Sequence, residues 1–454
     1  MNNNRLQITS GVLSHLQKGR KRNSLIPSLI LAFLFYFLNF LFACASAPKP
    51  IASESKTGLV STYLVKNVTR IQGFSGPVDE TNTFFSEDSQ AVMWVKLKDI
   101  SGEHTLRWEW YSPAGELYHT TGNYKINRDG KSRDYSTSWH RIAIKGEKAG
   151  TLEGGWQVKV WLDDTEIIAD KGFEIIFDLY RYITRGPNTR VKPDNNKWAL
   201  IIGIEKYKKT VSVPYAERDA GLMKNYLTNF LGVPKENIIT LLSDGATKAE
   251  IEVMIKDKLK RLMRERDTLY VYYSGHGIPA DESPYLLPYD GDAESPKITA
   301  YPVEDLYKDL EQLPAREVFV FMDTCFSGRS GRDKKEELIV AGVRPGLLKV
   351  RDPLLLSKKI IAMAAAKGNQ LSNYYKEMQQ GLFTYYLLRG MAGYADTNGD
   401  KKIQIKELAK YVEGEVDTAS RRLFGLSRQQ NPVTMPIPLG DRENLEIAPV
   451  ITGD

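Results

Sequence analysis

Between Trp198 and Ala364 five short apolar runs recur: Trp198 to Ile204, Ile238 to Leu242, Leu269 to Tyr273, Val318 to Met322 and Ile360 to Ala364. Each has the length of a strand, and none alternates with polar residues, so each reads as a strand buried on both faces. Between them lie stretches with helical spacing, Tyr215 to Leu231, Lys248 to Met263 and Val303 to Leu313. Thr247 and Glu250 stand at the spacing of a capping box at the start of the second. This alternation predicts an α/β domain, a mostly parallel sheet with helices on both faces. In such sheets functional side chains gather beyond the carboxyl ends of the strands.

Two of the predicted strands run directly into reactive residues. One reads Leu269-Tyr-Val-Tyr-Tyr-Ser-Gly-His276-Gly277, the other Val318-Phe-Val-Phe-Met-Asp323-Thr-Cys325-Phe-Ser-Gly328. A cysteine attacks as the thiolate, and a nearby imidazole both lowers its pKa and later protonates a leaving amine. Glycines let a substrate backbone approach and leave main-chain N–H groups able to hold an oxyanion. The plain alternative is a buried core cysteine with a satisfied histidine. The matched strand-end positions and the adjoining glycines weigh against it.

These motifs resemble the caspase-like cysteine peptidases, and stand nearer the metacaspase and bacterial caspase-like branch than the animal caspases. Ser274-Gly-His276-Gly277 resembles the family's histidine motif and Asp323-Thr-Cys325-Phe-Ser-Gly328 its cysteine motif. Cys325 follows His276 by 49 residues, close to the offset of about 50 known for caspases. Leu200-Ile-Ile-Gly-Ile and Tyr215-Ala-Glu-Arg-Asp219-Ala fit as well. The resemblance implies that Cys325 attacks the scissile carbonyl and that His276 serves as general acid and base. The backbone N–H groups of Gly277 and Cys325 would hold the oxyanion. It also implies that Asp219 and Asp323 line the pocket for the side chain before the scissile bond. Paired carboxylates there reward an Arg or Lys and reject an anion, unless Arg218 turns inward and favours an acid; the plain alternative is that the two aspartates serve a helix start and a strand end. The basic stretch Arg329 to Lys335 lies where many relatives are cut, so self-processing there and a solvated loop are both open.

Further on, Asp396-Thr-Asn398-Gly-Asp400-Lys-Lys402-Ile403-Gln-Ile-Lys-Glu407 places Asp396, Asn398, Asp400, Lys402 (through its carbonyl) and Glu407 as in an EF-hand-type loop. Helical patterns at Phe383 to Met391 and Ile405 to Val416 flank it, but Lys401 stands where the sharp turn wants glycine. The loop reads either as a calcium site or as a turn that keeps the shape without the ion. No other cofactor is expected.

The chain has 454 residues, two cysteines and a formal charge of +6. Two thiols give no disulfide framework. The basic excess is local: residues 1–43 hold Arg5, Lys18, Arg20, Lys21 and Arg22 with no acid, and the remainder is close to neutral. Nucleic-acid binding therefore loses its electrostatic basis. Lys18 to Arg22 precede an apolar run from Leu25 to Ala43 that ends Leu41-Phe42-Ala43-Cys44, the layout of a signal peptide. It resembles a bacterial lipobox, which implies lipidation at Cys44, although Phe42 is larger than usual there. At about 19 residues the run is also near the lower limit for an uncut membrane anchor, and a buried core helix is the third reading. The first two place the rest of the chain outside the cytoplasm, tethered to a membrane.

The sequence thus divides into a signal peptide (1–43), a tether (44–59), an all-β region (60–178), a linker (179–197), the caspase-like domain (198–392) and a C-terminal part (393–454). In the all-β region Val92, Trp94 and Leu97, then Leu106, Trp108 and Trp110, then Trp139, Ile142 and Ile144, then Trp156, Val158 and Val160, and finally Phe173 to Phe177 read as strands. Ser112 to Gly115 and Asn127 to Gly130 read as turns between them, which predicts an antiparallel sandwich; it resembles bacterial immunoglobulin-like modules. Six of the seven tryptophans lie there; core packing outweighs a carbohydrate surface. The reading overall is a membrane-tethered cysteine endopeptidase. A catalytically idle caspase-like protein whose sandwich recruits a partner is the alternative from another class. A nucleotide-binding sheet is disfavoured, because Gly203-Ile-Glu-Lys206 stands where a phosphate loop would be.

Overall fold

The computed structural model describes residues 57–71, 74–188, 190–280, 283–326, 329–330, 337–338, 357–367 and 370–451. The signal-peptide reading, Cys44, most of the tether and most of the loop from Arg329 to Lys335 lie outside these residues. No helix among them is long and apolar enough to cross a membrane.

The first ten strands form two facing sheets. They are β1 (Gly58–Ile71), β2 (Phe74–Glu80), β3 (Thr83–Phe85), β4 (Gln90–Ile100), β5 (His104–Tyr111), β6 (Leu117–Thr120), β7 (Tyr124–Ile126), β8 (Arg133–Ala143), β9 (Gly154–Leu162) and β10 (Glu166–Ile176). One sheet has the order β2-β1-β4-β8 and the other β3-β10-β9-β5-β6, with β7 also on β5. Alternation in β5 and β9 sends Leu106, Trp108, Trp110, Trp156, Val158 and Val160 inward, as one buried face of an antiparallel sheet requires. Trp108, Trp110 and Trp156 are thus core, and Trp94 is buried with its Nε1–H on the Ser75 carbonyl at 3.2 Å. The expected turns are present, Gly115 N–H meeting Ser112 O and Gly130 N–H meeting Asn127 O.

The linker carries more structure than its composition suggests. Asp178 accepts the Arg181 N–H, α1 (Leu179–Arg185) follows, and Gly186 ends it with a φ of +75°. Leu179 and Ile183, one turn apart, are fully buried.

The second half is built on one six-stranded sheet. Its elements are β11 (Lys197–Gly203), α2 (Ala216–Asn229), β12 (Ile238–Leu242), a helical run over 248–262 that we label α3, β13 (Asp267–Ser274), β14 (Gly277–Ala280), β15 (Ser283–Leu286), β16 (Tyr301–Pro302), α4 (Val303–Glu311), β17 (Ala315–Asp323) and β18 (Ile360–Ala364). A short hairpin of β19 (Tyr374–Tyr375) and β20 (Gln380–Gly381) leads into α5 (Leu382–Arg389), then β21 (Lys402–Gln404), α6 (Ile405–Phe424), β22 (Val433–Met435) and β23 (Glu446–Pro449). The large sheet has the order β12-β11-β13-β17-β18-β22, parallel except for the last strand. All five predicted strands are present and send alternate residues to opposite faces, but β12, at the edge of the sheet, is half-buried and ends in the exposed Leu242 rather than being buried on both faces. Ala199, Ile201, Tyr272, Phe321 and Met363 join α1, α2, α5 and α6, while Leu200, Ile202, Val271, Val320 and Ala362 join α3 and α4. Each large aliphatic side chain so buried contributes about 1.5–3 kcal/mol, which is why these runs are almost wholly apolar.

The C-terminal part is no separate unit. Leu408, Val412, Val416, Ile447 and Ala448 complete the same core as α2 and α5, and β22 closes the sheet edge. On the amino-terminal side, α2 approaches β11 closely because Gly203 has no side chain; a β-carbon there would lie 2.6 Å from Ala220 Cβ. That approach puts the first turn of α2 beside the strand ends.

Candidate active site

The strand register aligns the two motifs. On β13 and β17 Ser274 pairs with Asp323, and on β11 Gly203 pairs with Ser274. His276 and Cys325 each follow by two residues, so both leave the carboxyl edge of the sheet at equivalent positions on neighbouring strands. Both are almost wholly buried, at 3% and 8% exposure. Gly277 holds the two chains together: a β-carbon there would lie 2.6 Å from Cys325 O and from the Phe326 ring. Only glycine allows that approach.

His276 is fixed at ring and main chain. Its Nε2 lies 2.8 Å from Val211 O. A carbonyl can only accept, so Nε2 carries the proton and Nδ1 is the basic nitrogen of the neutral ring. The His276 N–H donates to Tyr207 Oη at 2.7 Å, and its carbonyl accepts from Tyr273 Oη at 2.8 Å and Leu287 N–H at 3.0 Å. The Tyr207 ring packs against the imidazole with centroids 4.8 Å apart.

The two aspartates are brought together as well. Asp219, in the first turn of α2, and Asp323, the last residue of β17, are both fully buried. Between them sits Gly381, whose missing β-carbon would fall 2.0 Å from Asp323 Oδ2 and 3.0 Å from Asp219 Oδ2. Gly381 N–H donates to Asp219 Oδ2 at 2.9 Å. Ser372 Oγ donates to Asp323 Oδ1 at 2.6 Å, and Thr384 gives its N–H at 3.2 Å and its hydroxyl at 2.6 Å to Oδ2. Because the single Thr384 hydroxyl proton goes to Asp323, Tyr272 Oη, 2.7 Å from Thr384 Oγ1, is the donor there. Burial, with the Asp219 and Asp323 charges added, holds the Tyr272 phenol well above its ordinary pKa. Arg218 does not turn inward: its guanidinium lies 4.0 Å over the Tyr180 ring.

The caspase-domain profile matches residues 196–437. The chain belongs to the caspase-domain family. A probable protease from a Desulfuromonadales bacterium is 27% identical over 54% of this chain and 32% of its own length. Metacaspase-1 of Eremothecium gossypii is 29% identical over 24% of this chain and 24% of its own. The chain thus spans about a third and a quarter of these relatives. Caspase-1 from Spodoptera frugiperda is similar over 56% of this chain and 94% of that one, at 15% identity and a TM-score of 0.35.

Outside this centre of the caspase domain, the loop at residues 396–407 bonds to itself. Asp396 accepts the N–H groups of Gly399 and Lys401 at 2.8 and 3.0 Å, Asn398 that of Asp400 at 2.7 Å, and Asp400 that of Lys402 at 2.9 Å. Lys401 takes the left-handed turn, with φ +64°. Glu407 caps α6, accepting the Gln404 N–H at 3.0 Å and the Thr397 hydroxyl at 3.2 Å. The Lys402 ammonium pairs with Glu446 at 3.1 Å. Among the described residues no three His, Cys, Asp or Glu side chains are grouped to hold a metal ion.

Several residues of the caspase-domain site carry no sequence signal of their own. Val211 acts through its carbonyl, which every residue type has. Ser372 lies in irregular chain, and Gly381 and Thr384 lie on a two-residue strand and a short helix without periodicity. Tyr207 is the exception: an aromatic four residues beyond a buried strand that ends in glycine carries a signal of its own.

Proposed function

We propose that the chain is a membrane-tethered cysteine endopeptidase that cleaves after arginine or lysine, with His276 and Cys325 as its dyad. The observation that carries this reading is their equivalent placement two residues beyond the register pair Ser274 and Asp323. His276 Nδ1 takes the Cys325 thiol proton, and Sγ attacks the scissile carbonyl. The imidazolium returns that proton to the leaving amine, and water activated by the same ring hydrolyses the thioester. The N–H groups of Gly277 and Cys325 hold the oxyanion of each tetrahedral intermediate. Val211 O keeps the ring in the required tautomer.

The preference for a cation rests on Asp219 and Asp323. Two carboxylates in one buried site reward a guanidinium or ammonium and reject an acid, and the Arg218 guanidinium is stacked on Tyr180. The relatives' names, a probable protease and a metacaspase, agree with a peptide substrate. The basic segment, the apolar run and Cys44 support a lipid anchor in a bacterial envelope, and the near-neutral remainder supports no nucleic-acid partner. The loop at 396–407 makes calcium a modulator to be tested, at Asp396, Asn398, Asp400, Lys402 and Glu407.

The test is hydrolysis of fluorogenic peptides ending in Arg, Lys or Asp by the full-length chain, with and without calcium, beside Cys325→Ala. Cleavage of the Arg and Lys peptides alone, lost in the variant, is expected. Cleavage that survives in Cys325→Ala, or none under any condition, overturns the reading. For the anchor, Cys44→Ser is expected to move the chain from the membrane to the soluble fraction.

A further inference from the structure

The helix that holds the two carboxylates is tied at its other end to the sandwich. Gly381, which donates to Asp219, immediately precedes α5, and Thr384 in the first turn of α5 donates twice to Asp323. The last residue of α5 is Arg389, about 12 Å away at 1.5 Å per residue. Its guanidinium pairs at 2.5 Å with Glu153, in the loop that opens β9, and their side chains are only 14% and 21% exposed. The second Glu153 oxygen accepts Tyr394 Oη at 2.6 Å, and the Tyr394 ring lies 4.1 Å beneath the guanidinium. A second tie joins Arg422 of α6 to Glu174 of β10. Between the two ties the core is continuous: Ile176 at the end of β10, with Leu179 and Ile183 of α1, packs in one cluster with Leu382, Phe383 and Tyr386 of α5.

A largely shielded arginine with one carboxylate partner is a stringent contact. Removing the carboxylate leaves the cation uncompensated, so the pair enforces one geometry. A two-turn helix packed on both sides transmits a shift at one end to the other.

We propose that the sandwich positions the specificity pocket, with Glu153 acting through Arg389 to set α5 and thereby the placement of Asp219 and Asp323. Glu153 and Arg389 are positioning residues, distant from the reacting atoms. The inference rests on the proposed preference for basic residues, and it names what the sandwich contributes to that preference.

The test compares full-length wild type with Glu153→Gln, Arg389→Gln and the double variant on a peptide ending in arginine. Each single change is expected to raise KM about tenfold while kcat stays within about twofold, the signature of lost binding common to ground and transition states. The double variant is expected to be no worse than the weaker single, because the two act through one contact. Tyr394→Phe, which removes only a hydroxyl from the Glu153 carboxylate, gives the same direction with a smaller shift and keeps the test open if a charge variant does not fold. An unchanged KM in folded variants, or additive losses, overturns the proposal while leaving the peptidase reading intact. A wild type that does not cleave after Arg or Lys overturns both.

Discussion

His276 Nε2 lies 2.8 Å from the main-chain oxygen of Val211, 65 residues earlier in the chain. The His276 ring is therefore oriented by a backbone group, and the tyrosines around it hold the His276 main chain where that contact can form. Tyr207→Phe removes the acceptor of the His276 N–H and keeps the ring contact. An orphaned buried N–H costs about 1–3 kcal/mol. If that loss is felt in the placement of the imidazole, kcat falls about tenfold with KM nearly unchanged. Steady-state kinetics on an arginine-ending peptide check this; a change in KM alone would contradict it.

Gly277→Ala is expected to be far more damaging. Its β-carbon would meet Cys325 O at 2.6 Å, so the two main chains must part, and with them the proposed oxyanion donors. Loss of one such donor costs about 100-fold or more in kcat. The loss should appear in kcat while alkylation of Cys325 by iodoacetamide persists, because the thiol remains present. A fully active alanine variant would remove Gly277 from the site.

Thr384→Val keeps the shape of the side chain and removes a hydroxyl that Asp323 and Tyr272 share. A hydrogen bond to a charged group contributes about 1.5–3 kcal/mol. The expected outcome is a lower Tm together with a raised KM for arginine-ending peptides, read by thermal unfolding and kinetics on the same preparation. A lower Tm with an unchanged KM would make the contact structural only.

Much of this arrangement was readable in the sequence, for a physical reason. Strands such as Ile360–Ala364 are buried on both faces, so their composition is forced. His276 and Cys325 stand out because reactive side chains with adjoining glycines at strand ends have few structural uses. The rest depends on contacts that leave no local trace. The Tyr374 to Gly381 hairpin has two-residue strands, too short for a period, and the β22 edge strand has three residues. The helix Leu179–Arg185 did have a signal: Asp178 as cap, Leu179 and Ile183 one turn apart, and Gly186 beyond. Its basic and polar residues masked that signal.

In the sandwich, His140 of β8 stacks on His119 with centroids 5.2 Å apart and planes 6° apart. Trp110 Nε1–H donates to its Nδ1 at 3.0 Å, and the Trp108 ring lies 6.1 Å away. Burial first, then the neighbouring His119 and Arg141 charges, pushes its pKa from 6.5 down to about 4. The folded state therefore keeps His140 neutral where the unfolded chain binds a proton. Stability is expected to fall as pH drops from about 6.5 towards 4, and to be indifferent to His140 above that window. His140→Gln should flatten the dependence of Tm on pH in this range; an unchanged slope would contradict the assignment.

The central claim is that Cys325 is a nucleophile activated by His276 and addressed through an acidic pocket. Intact-mass and peptide-mass measurement of the full-length chain after exposure to a peptidyl ketone inactivator ending in arginine tests it most directly. A single adduct on Cys325 is predicted, strongly slowed in His276→Ala and not formed by the matching inactivator ending in aspartate. No adduct on Cys325, or equal labelling by the two inactivators, would contradict it.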